Sequence, residues 1–309
     1  MFSTMKRDQN ISPEPLDQTE GRKSLAAKFF NLITLDKNSA ELEPETALEI
    51  NSTEAKKERK TPVIGILGVK GGVGATTTAI NLASILCRHY SRAVLIDSNM
   101  QQPDVALTLS INPKFCLCDL IERRGRLDER VLEACCESIS LEENVLKVVS
   151  PPLELTRSLS FDVEPLTDCL EKVKDYSDMI VIDLQKVLDK NLLALLDSCD
   201  KIILVSEPTI TSISGAKRWL SIFNDLEYSL SDVSILFNER DKKQRQIEEE
   251  ALRALKIKTH WTMPNAAQQL ENASLEGVPA VLKHPNSQYA KALDSVVSDI
   301  RNWFDQEAF

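Results

Sequence analysis

A glycine-rich run that starts at Val69, VKGGVGATTT, is the segment of the sequence most typical of a binding site. Its glycines allow the backbone to turn tightly and to direct several N–H groups at phosphate oxygens. Thr76 places a hydroxyl where a Ser or Thr of a phosphate loop ligates Mg²⁺. The run therefore predicts a binding site for a phosphate chain and its magnesium ion. The loop residues expected to contact the ligand are Gly71, Gly72, Val73, Gly74, Ala75, Thr76 and Thr77.

The sequence on either side of this loop supports the prediction. The run PVIGILG (62–68) is typical of a buried strand, and residues 76–89 show a helical pattern. A phosphate loop needs this context, because the helix that follows it directs the positive end of its dipole at the ligand. A plain glycine-rich turn is the alternative, and the strand and the helix argue against it.

More polar residues stand where other predicted strands end. Because ligands bind beyond the carboxyl ends of parallel strands, these residues are candidates for the same site. They are Asp97, Asn99 and Asp104 after AVLID, Asp183 at the end of MIVIDL, Asn238 at the end of VSILFN, and Pro264 after IKTHWT. Simpler roles remain open: a strand exit for Asp97, a helix cap for Asp183 and a turn for Asn238.

From Pro62 onwards, predicted strands and helices alternate along the chain and carry these candidate residues. Short, nearly continuous apolar strands separated by amphipathic helices indicate a parallel sheet covered on both faces. The predicted fold is a three-layer α/β domain over residues 61–309, with a mostly parallel twisted sheet and helices on both faces. The strands are expected at 62–68, 93–97, 145–150, 179–184, 201–206, 233–238 and 257–262, and the main helices at 76–89, 162–175, 209–227, 244–255 and 287–305.

Residues 1–60 differ from the rest of the chain. They are rich in Asp, Glu, Lys, Ser and Asn and show no sustained periodicity, which predicts a mostly disordered segment. One island, Lys23–Leu35, has an amphipathic helical pattern. A short helix packed on its own domain, a docking peptide and a weak membrane contact all fit this pattern.

Composition restricts the classes of function. The 309-residue chain has a formal net charge of −10 and a pI near 5.0, which disfavours bulk attraction to DNA or anionic lipid. The N-terminus lacks the layout of a secretory signal, and no apolar run is long enough to span a membrane. The seven cysteines are unpatterned, so reduced thiols are expected and a metal site is disfavoured. We therefore expect a cytoplasmic protein.

The loop KGGVGATT also resembles the variant Walker A motif, KGGxGKT[T/S], of the ParA/MinD superfamily of P-loop ATPases, and the resemblance covers residues 61–309. It implies that the chain binds ATP and Mg²⁺ and forms a homodimer. Lys70 matches the lysine that reaches across that dimer to the partner's phosphates. The second lysine of the motif is replaced by Ala75. A charge-assisted bond is worth about 1.5–3 kcal/mol, so we expect ATP binding roughly ten- to hundredfold weaker and hydrolysis more impaired.

The resemblance also implies roles for the polar residues at the strand ends. Asp97 and Asp104 match the first and last acids of a switch motif, but Asn99 replaces the carboxylate that orients the attacking water. Asp183 matches a Walker B aspartate, which holds Mg²⁺ through water. Asn238, with Pro264 nearby, matches the asparagine that reads adenine, since an amide offers both a donor and an acceptor. Catalytic roles therefore fall on Lys70, Asp97 and a degenerate Asn99, and the metal ligands on Thr76 and Asp183.

Three segments resemble the TadZ/CpaE pilus-assembly branch of this superfamily. They are the loop KGGVGAT, the stretch QQPDVALTLSINPKFCLCDLI and the ending LEGVPAVLKHPNSQYAKAL. This resemblance implies an ATP-binding, dimerising scaffold that localises or assembles type IV (Flp/Tad-like) pilus or secretion components, at the cell pole or peripheral to the inner membrane. No direct contact with nucleic acid is expected.

Other members of the superfamily offer alternative functions. An active ATPase in partitioning or pole positioning would need competent hydrolysis, which Ala75 disfavours. A degenerate tyrosine-kinase-like protein of polysaccharide export is disfavoured because the tail lacks a tyrosine cluster. An iron–sulfur relative would need paired interface cysteines. A MinD-like membrane helix would be basic, whereas the C-terminal helix is acidic, so we expect its apolar face, Tyr289 to Phe304, to pack on the core.

Overall fold

A computed structural model describes residues 61–141, 143–154, 156–157, 165–238 and 245–307. The predicted helix at 23–35 and the rest of residues 1–60 lie outside the described residues. The division into a segment 1–60 and a domain 61–309 therefore stays a prediction.

An eight-stranded sheet forms the centre of the fold, in the order β3-β4-β2-β5-β1-β6-β7-β8. All neighbouring strands are parallel except β3 and β4, which are antiparallel. The strands are β1 Val63–Gly68, β2 Ala93–Asp97, β3 Glu137–Leu141, β4 Asn144–Val149, β5 Met179–Leu184, β6 Lys201–Ser206, β7 Val233–Asn238 and β8 His260–Met263. All six residues of β1, and likewise of β5 and β6, are buried. Since alternate side chains of a strand point to opposite faces, helices and loops cover both faces of the sheet.

Helices connect the strands. They are α1 Ala75–Leu86, α2 Asp104–Thr108, α3 Leu117–Glu122, α4 Glu129–Ala134, α5 Leu166–Asp175, α6 Lys190–Asp197, α7 Ile210–Asp225, α8 Arg245–Leu255, α9 Ala267–Leu275, α10 Ala280–Lys283 and α11 Gln288–Glu307. The predicted three-layer, mostly parallel fold is confirmed. The sequence missed β3 and placed β8 too early, at 257–262.

The C-terminal helix α11 packs on α1 and β8. Tyr289, Leu293, Val296 and Ile300 are all buried, which confirms that this apolar face belongs to the core. No described helix combines the length and the apolar character needed to cross a bilayer.

The strands β2 and β5 carry Asp97 and Asp183 at their carboxyl ends. At the opposite ends, a polar contact between Arg92 and Asp178 joins the two strands. Asp178 accepts two hydrogen bonds from the Arg92 guanidinium, at 2.7 and 3.2 Å, and one from Ser91 at 3.1 Å. The hydrogen bond from Arg92 lowers the pKa of Asp178 below its ordinary 3.8. This contact helps to hold the two strands in register.

We expect Asp178→Asn to lower the free energy of unfolding by roughly 1 kcal/mol at pH 7, because the partly exposed pair loses its charge. A lowered folded-state pKa stabilises the protein above the ordinary pKa, and this contribution disappears as the pH falls through the folded value. Urea unfolding of wild type and variant should therefore converge below about pH 3.8. Asp175→Asn, at an exposed site, is the control. An equal change in both variants would contradict the assignment.

Candidate nucleotide-binding site

The glycine-rich loop joins the central strand β1 to helix α1. Gly72 and Gly74 adopt positive φ angles of 77° and 87°, which residues other than glycine rarely tolerate. Gly74 is the N-cap of α1, and no side chain caps the helix there. The first amide groups of the helix are thus available to an anion, which they attract together with the helix dipole. The loop geometry suits a phosphate chain.

Asn238 braces this loop from the end of β7. Its side-chain Nδ2 donates a hydrogen bond of 2.6 Å to the Val73 carbonyl. A Cβ atom added to Gly74 would lie 2.7 Å from the same nitrogen. Register pairs Asn238 with Met263, so Pro264 follows immediately at the same edge of the sheet. The two residues predicted to meet adenine therefore lie together, and the Asn238 amide donor contacts the loop itself. The role in base recognition stays a prediction.

The two carboxylates predicted after β2 and β5 lie side by side, since Asp97 pairs in register with Asp183. Burial raises the pKa of Asp183 to about 6, opposed chiefly by a hydrogen bond from the Thr76 side chain. Burial and then the neighbouring Asp183 raise the pKa of Asp97 well above its ordinary range. The structure therefore brings together Thr76 and Asp183, the two residues predicted to bind magnesium.

These oxygen ligands suit Mg²⁺, which uses one or two protein ligands together with phosphate oxygens and water. Within the described ranges, no group of three or more His, Cys, Asp or Glu side chains could hold a metal ion by itself. A metal at this position would complete its coordination with water and with the oxygens of a phosphate-bearing ligand. The residues present fit a magnesium–nucleotide complex.

Asp97 stabilises the loop after β2. Its Oδ1 accepts a hydrogen bond of 2.9 Å from the Asn99 amide, and its Oδ2 accepts one of 3.2 Å from the Val105 amide. The side chain is fully buried. Asn99 is half-buried in the loop, and its Oδ1 accepts a 3.3 Å bond from the Gln102 amide. The predicted catalytic roles of Asp97 and Asn99 stay predictions, and the contacts assign Asp97 a role in positioning the loop.

Asp97→Ala should destabilise the protein by about 2–4 kcal/mol, because two backbone amides lose their acceptor. Asp97→Asn keeps one acceptor oxygen and should cost about half as much. Chemical denaturation measures both changes. If alanine and asparagine proved equally tolerated, the loop-positioning role would be wrong.

Lys70 contacts its own chain. Its Nζ lies 3.1 Å from Oε2 of Glu207, whose side chain is only 4% exposed, against 37% for Lys70. Glu207 directly follows β6, the strand beside β1. Sequence reasoning missed this residue, although an acidic side chain directly after a buried strand was the available signal. Lys70 is thus positioned beside the loop by an ion pair, and its predicted contact with a partner's phosphates stays a prediction.

Comparison with known proteins places this geometry in a family. The AAA domain family matches residues 61–235, more than half of the chain. The sporulation initiation inhibitor protein Soj of Bacillus subtilis is 23% identical over 248 residues, which cover 77% of this chain and 97% of Soj.

Solved structures share the fold. The ParA family ATPase of Chlorobium tepidum superposes with a TM-score of 0.71 at 21% identity, over 77% of this chain and 99% of that one. The septum site-determining protein MinD of Pyrococcus horikoshii, complexed with Mg-ADP, superposes with a TM-score of 0.66 at 20% identity, over 77% of this chain and 95% of that one. With its phosphate loop at the end of the central strand, this chain belongs to the AAA domain family and to the ParA/MinD superfamily of P-loop ATPases.

Proposed function

We propose that this protein is an ATP-dependent dimerising scaffold with very slow or no hydrolysis, which localises or assembles a type IV (Flp/Tad-like) pilus or secretion apparatus. The observation that carries the proposal is the phosphate loop. It keeps its glycine geometry and an uncapped helix N-terminus, yet it has Ala75 where the superfamily motif has a lysine. Binding features are retained and a group that stabilises transition-state charge is missing.

In this proposal residues 71–77 hold the phosphates of ATP. Thr76 and Asp183 hold Mg²⁺, which when bound neutralises charge on the phosphates. Pro264 and the carbonyl oxygen of the Asn238 amide contact adenine, while the Asn238 Nδ2 keeps the loop in place through Val73. The Pyrococcus MinD complex, which contains Mg-ADP, supports the nucleotide assignment.

Slow turnover follows from two departures from the superfamily motif. Ala75 supplies no cation to the phosphates. Asn99 can hydrogen-bond to a water molecule but cannot accept its proton as a carboxylate does. Bound ATP would then act as a long-lived signal for one conformation of the protein rather than as a fuel.

Dimerisation is supported by exposed apolar side chains beyond the same edge of the sheet. Val187, after β5, is 57% exposed, and Ile210, at the start of α7, is 81% exposed. Large apolar side chains grouped at one edge of a fold are typical of a contact surface. Val187 follows β5, and Ile210 begins the helix after β6. Because β5 and β6 flank β1 in the sheet, Lys70, which follows β1, lies between the positions of these two side chains. The proposed dimer would cover this edge and bring Lys70 to the partner's phosphates.

The pilus role is supported by two of the segments that resemble the TadZ/CpaE branch, which lie against each other. A Cβ atom added to Gly277 would lie 2.7 Å from Cβ of Ser110, and both residues have positive φ angles. Each segment also carries an exposed leucine, Leu107 at 62% and Leu275 at 79%. We propose that this joined surface contacts the pilus or secretion component, at the cell pole or peripheral to the inner membrane.

Sedimentation velocity with ATP·Mg²⁺, with ADP·Mg²⁺ and without nucleotide tests the proposal, together with a phosphate-release assay. We expect a dimer with ATP, a monomer otherwise, and phosphate release close to background. Ala75→Lys should raise phosphate release and leave the ATP-dependent dimer intact. Rapid turnover by the wild type would favour an active partitioning-type ATPase instead, and no binding at millimolar ATP would refute the nucleotide-gated scaffold.

A further inference from the structure

A lysine that matches no part of the Walker A motif lies against the phosphate loop. Lys186 comes two residues after the end of β5, which is the neighbour of β1 in the sheet. A Cβ atom placed on Gly68, the last residue of β1, would lie 3.0 Å from Cε of Lys186 and 3.2 Å from Cβ of Ala75. The aliphatic end of Lys186 and the methyl group of Ala75 thus border the same small space above the end of β1.

Gly68 keeps this space open. With no side chain at residue 68, Lys186, Val73 and Ala75 can approach one another at the base of the loop. A Cβ atom at residue 68 would contact all three side chains at 3.0–3.2 Å, so Lys186, the most flexible of them, would have to shift. A lysine from the segment after β5, instead of one from the loop, can therefore approach the N-terminus of α1.

The charge of Lys186 is directed towards the same site. Burial raises the pKa of Asp183, and the positive charge of Lys186 opposes that rise. Its ammonium therefore lies near the carboxylate that accepts a hydrogen bond from Thr76. The residue is exposed, and its Nζ forms no hydrogen bond or salt bridge with another of the described residues, so it can turn towards an incoming anion.

We propose that Lys186 binds the β- and γ-phosphates of ATP in place of the lysine that is absent at residue 75. The inference rests on the proposed function, since it assigns a phosphate ligand within the same site. In this arrangement the cation that Ala75 cannot supply comes from the segment that follows the neighbouring strand β5. Asn99 still leaves hydrolysis impaired, so Lys186 restores binding rather than turnover.

A simpler role for Lys186 is to neutralise Asp183. The two roles differ in their dependence on Mg²⁺, because in the proposed function Asp183 acts on ATP through the metal ion. A direct contact between Lys186 and phosphate operates with or without the metal. An effect on the coordination of Mg²⁺ by Asp183 disappears when EDTA removes the metal ion.

The test is calorimetric binding of ATP and AMP to the full-length chain, with Mg²⁺ and with EDTA. Lys186→Ala should weaken ATP binding at least about tenfold in both conditions, as expected for one charge-assisted contact. Binding of AMP, which lacks the β- and γ-phosphates, should stay within about twofold. Lys186→Ala combined with Ala75→Lys should recover most of the ATP affinity. Lys291→Ala, an exposed site on α11, is the charge-matched control and should behave as wild type.

Three other results would contradict the phosphate role of Lys186, and they differ in what they say about the proposed function. If the wild type binds ATP and Lys186→Ala binds it equally well, the phosphate role is wrong and the proposed function stands. If affinity falls only with Mg²⁺ present, Lys186 acts through Asp183 and the proposal is overturned. If the wild type binds no ATP in either condition, the proposed function fails, and the phosphate role of Lys186 fails with it.

Discussion

Replacing Gly74 by alanine is expected to destabilise the protein by about 2–4 kcal/mol and to abolish measurable ATP binding. Gly74 has a φ angle of 87°, a conformation that costs a residue with a Cβ atom about 1–2 kcal/mol. The new Cβ would lie 2.7 Å from Nδ2 of Asn238. The amide would have to move, and the Val73 carbonyl would lose a bond worth about 1 kcal/mol.

The same loop provides two matched controls. An added Cβ at Gly71 meets no atom within 4 Å, so Gly71→Ala should change the free energy of unfolding by less than about 0.5 kcal/mol. Gly72 has the positive φ angle but the same open surroundings. Gly72→Ala should therefore show the backbone cost alone, about 1–2 kcal/mol. Urea unfolding and ATP titration of the three variants would contradict this account if Gly74→Ala were as stable as Gly71→Ala.

Lys70→Ala is expected to abolish ATP-dependent dimerisation and to change the ATP affinity of the monomer less than tenfold. In a symmetric dimer the substitution removes two charge-assisted contacts to phosphate, so the dimer should weaken at least about a hundredfold. The monomer is affected less, because there Lys70 contacts Glu207 at 3.1 Å. Sedimentation velocity with ATP·Mg²⁺ measures the dimer, and calorimetry measures nucleotide binding.

Glu207→Gln should have the opposite effect on the dimer. The neutral amide releases Lys70, so dimerisation should occur at lower protein concentration than in the wild type. Lys258→Ala is the control, because this exposed lysine precedes β8 and lies at the opposite edge of the parallel sheet from the loop. Intact ATP-dependent dimers of Lys70→Ala would show that the proposed trans contact is wrong, even if nucleotide binding were normal.

Most of the sheet is predictable from the sequence because buried parallel strands are nearly continuous apolar runs. The strands at 93–97, 179–184, 201–206 and 233–238 are observed with the predicted bounds. β3 was missed because it is a partly exposed antiparallel strand at the edge of the sheet. Its residues Glu137, Ser138 and Ser140 give no apolar signal without their partner β4.

The phosphate loop is equally predictable from the sequence, since its glycines, Thr76 and the absence of a lysine at residue 75 are local features of one short segment. The sequence likewise indicated that Asp97, Asp183 and Asn238 stand at strand ends.

What those side chains contact depends on the long-range packing of the strands. The Asn238 amide binds the carbonyl of Val73, 165 residues away. Glu207 pairs with Lys70, and Lys186 lies beside Ala75, because β6 and β5 flank β1 in the sheet although they are distant from it along the chain. Local sequence patterns show which residues are apolar and where the backbone can form a turn. The order of strands in a sheet arises from long-range pairing, and that order brings Glu207 and Lys186 to the phosphate loop.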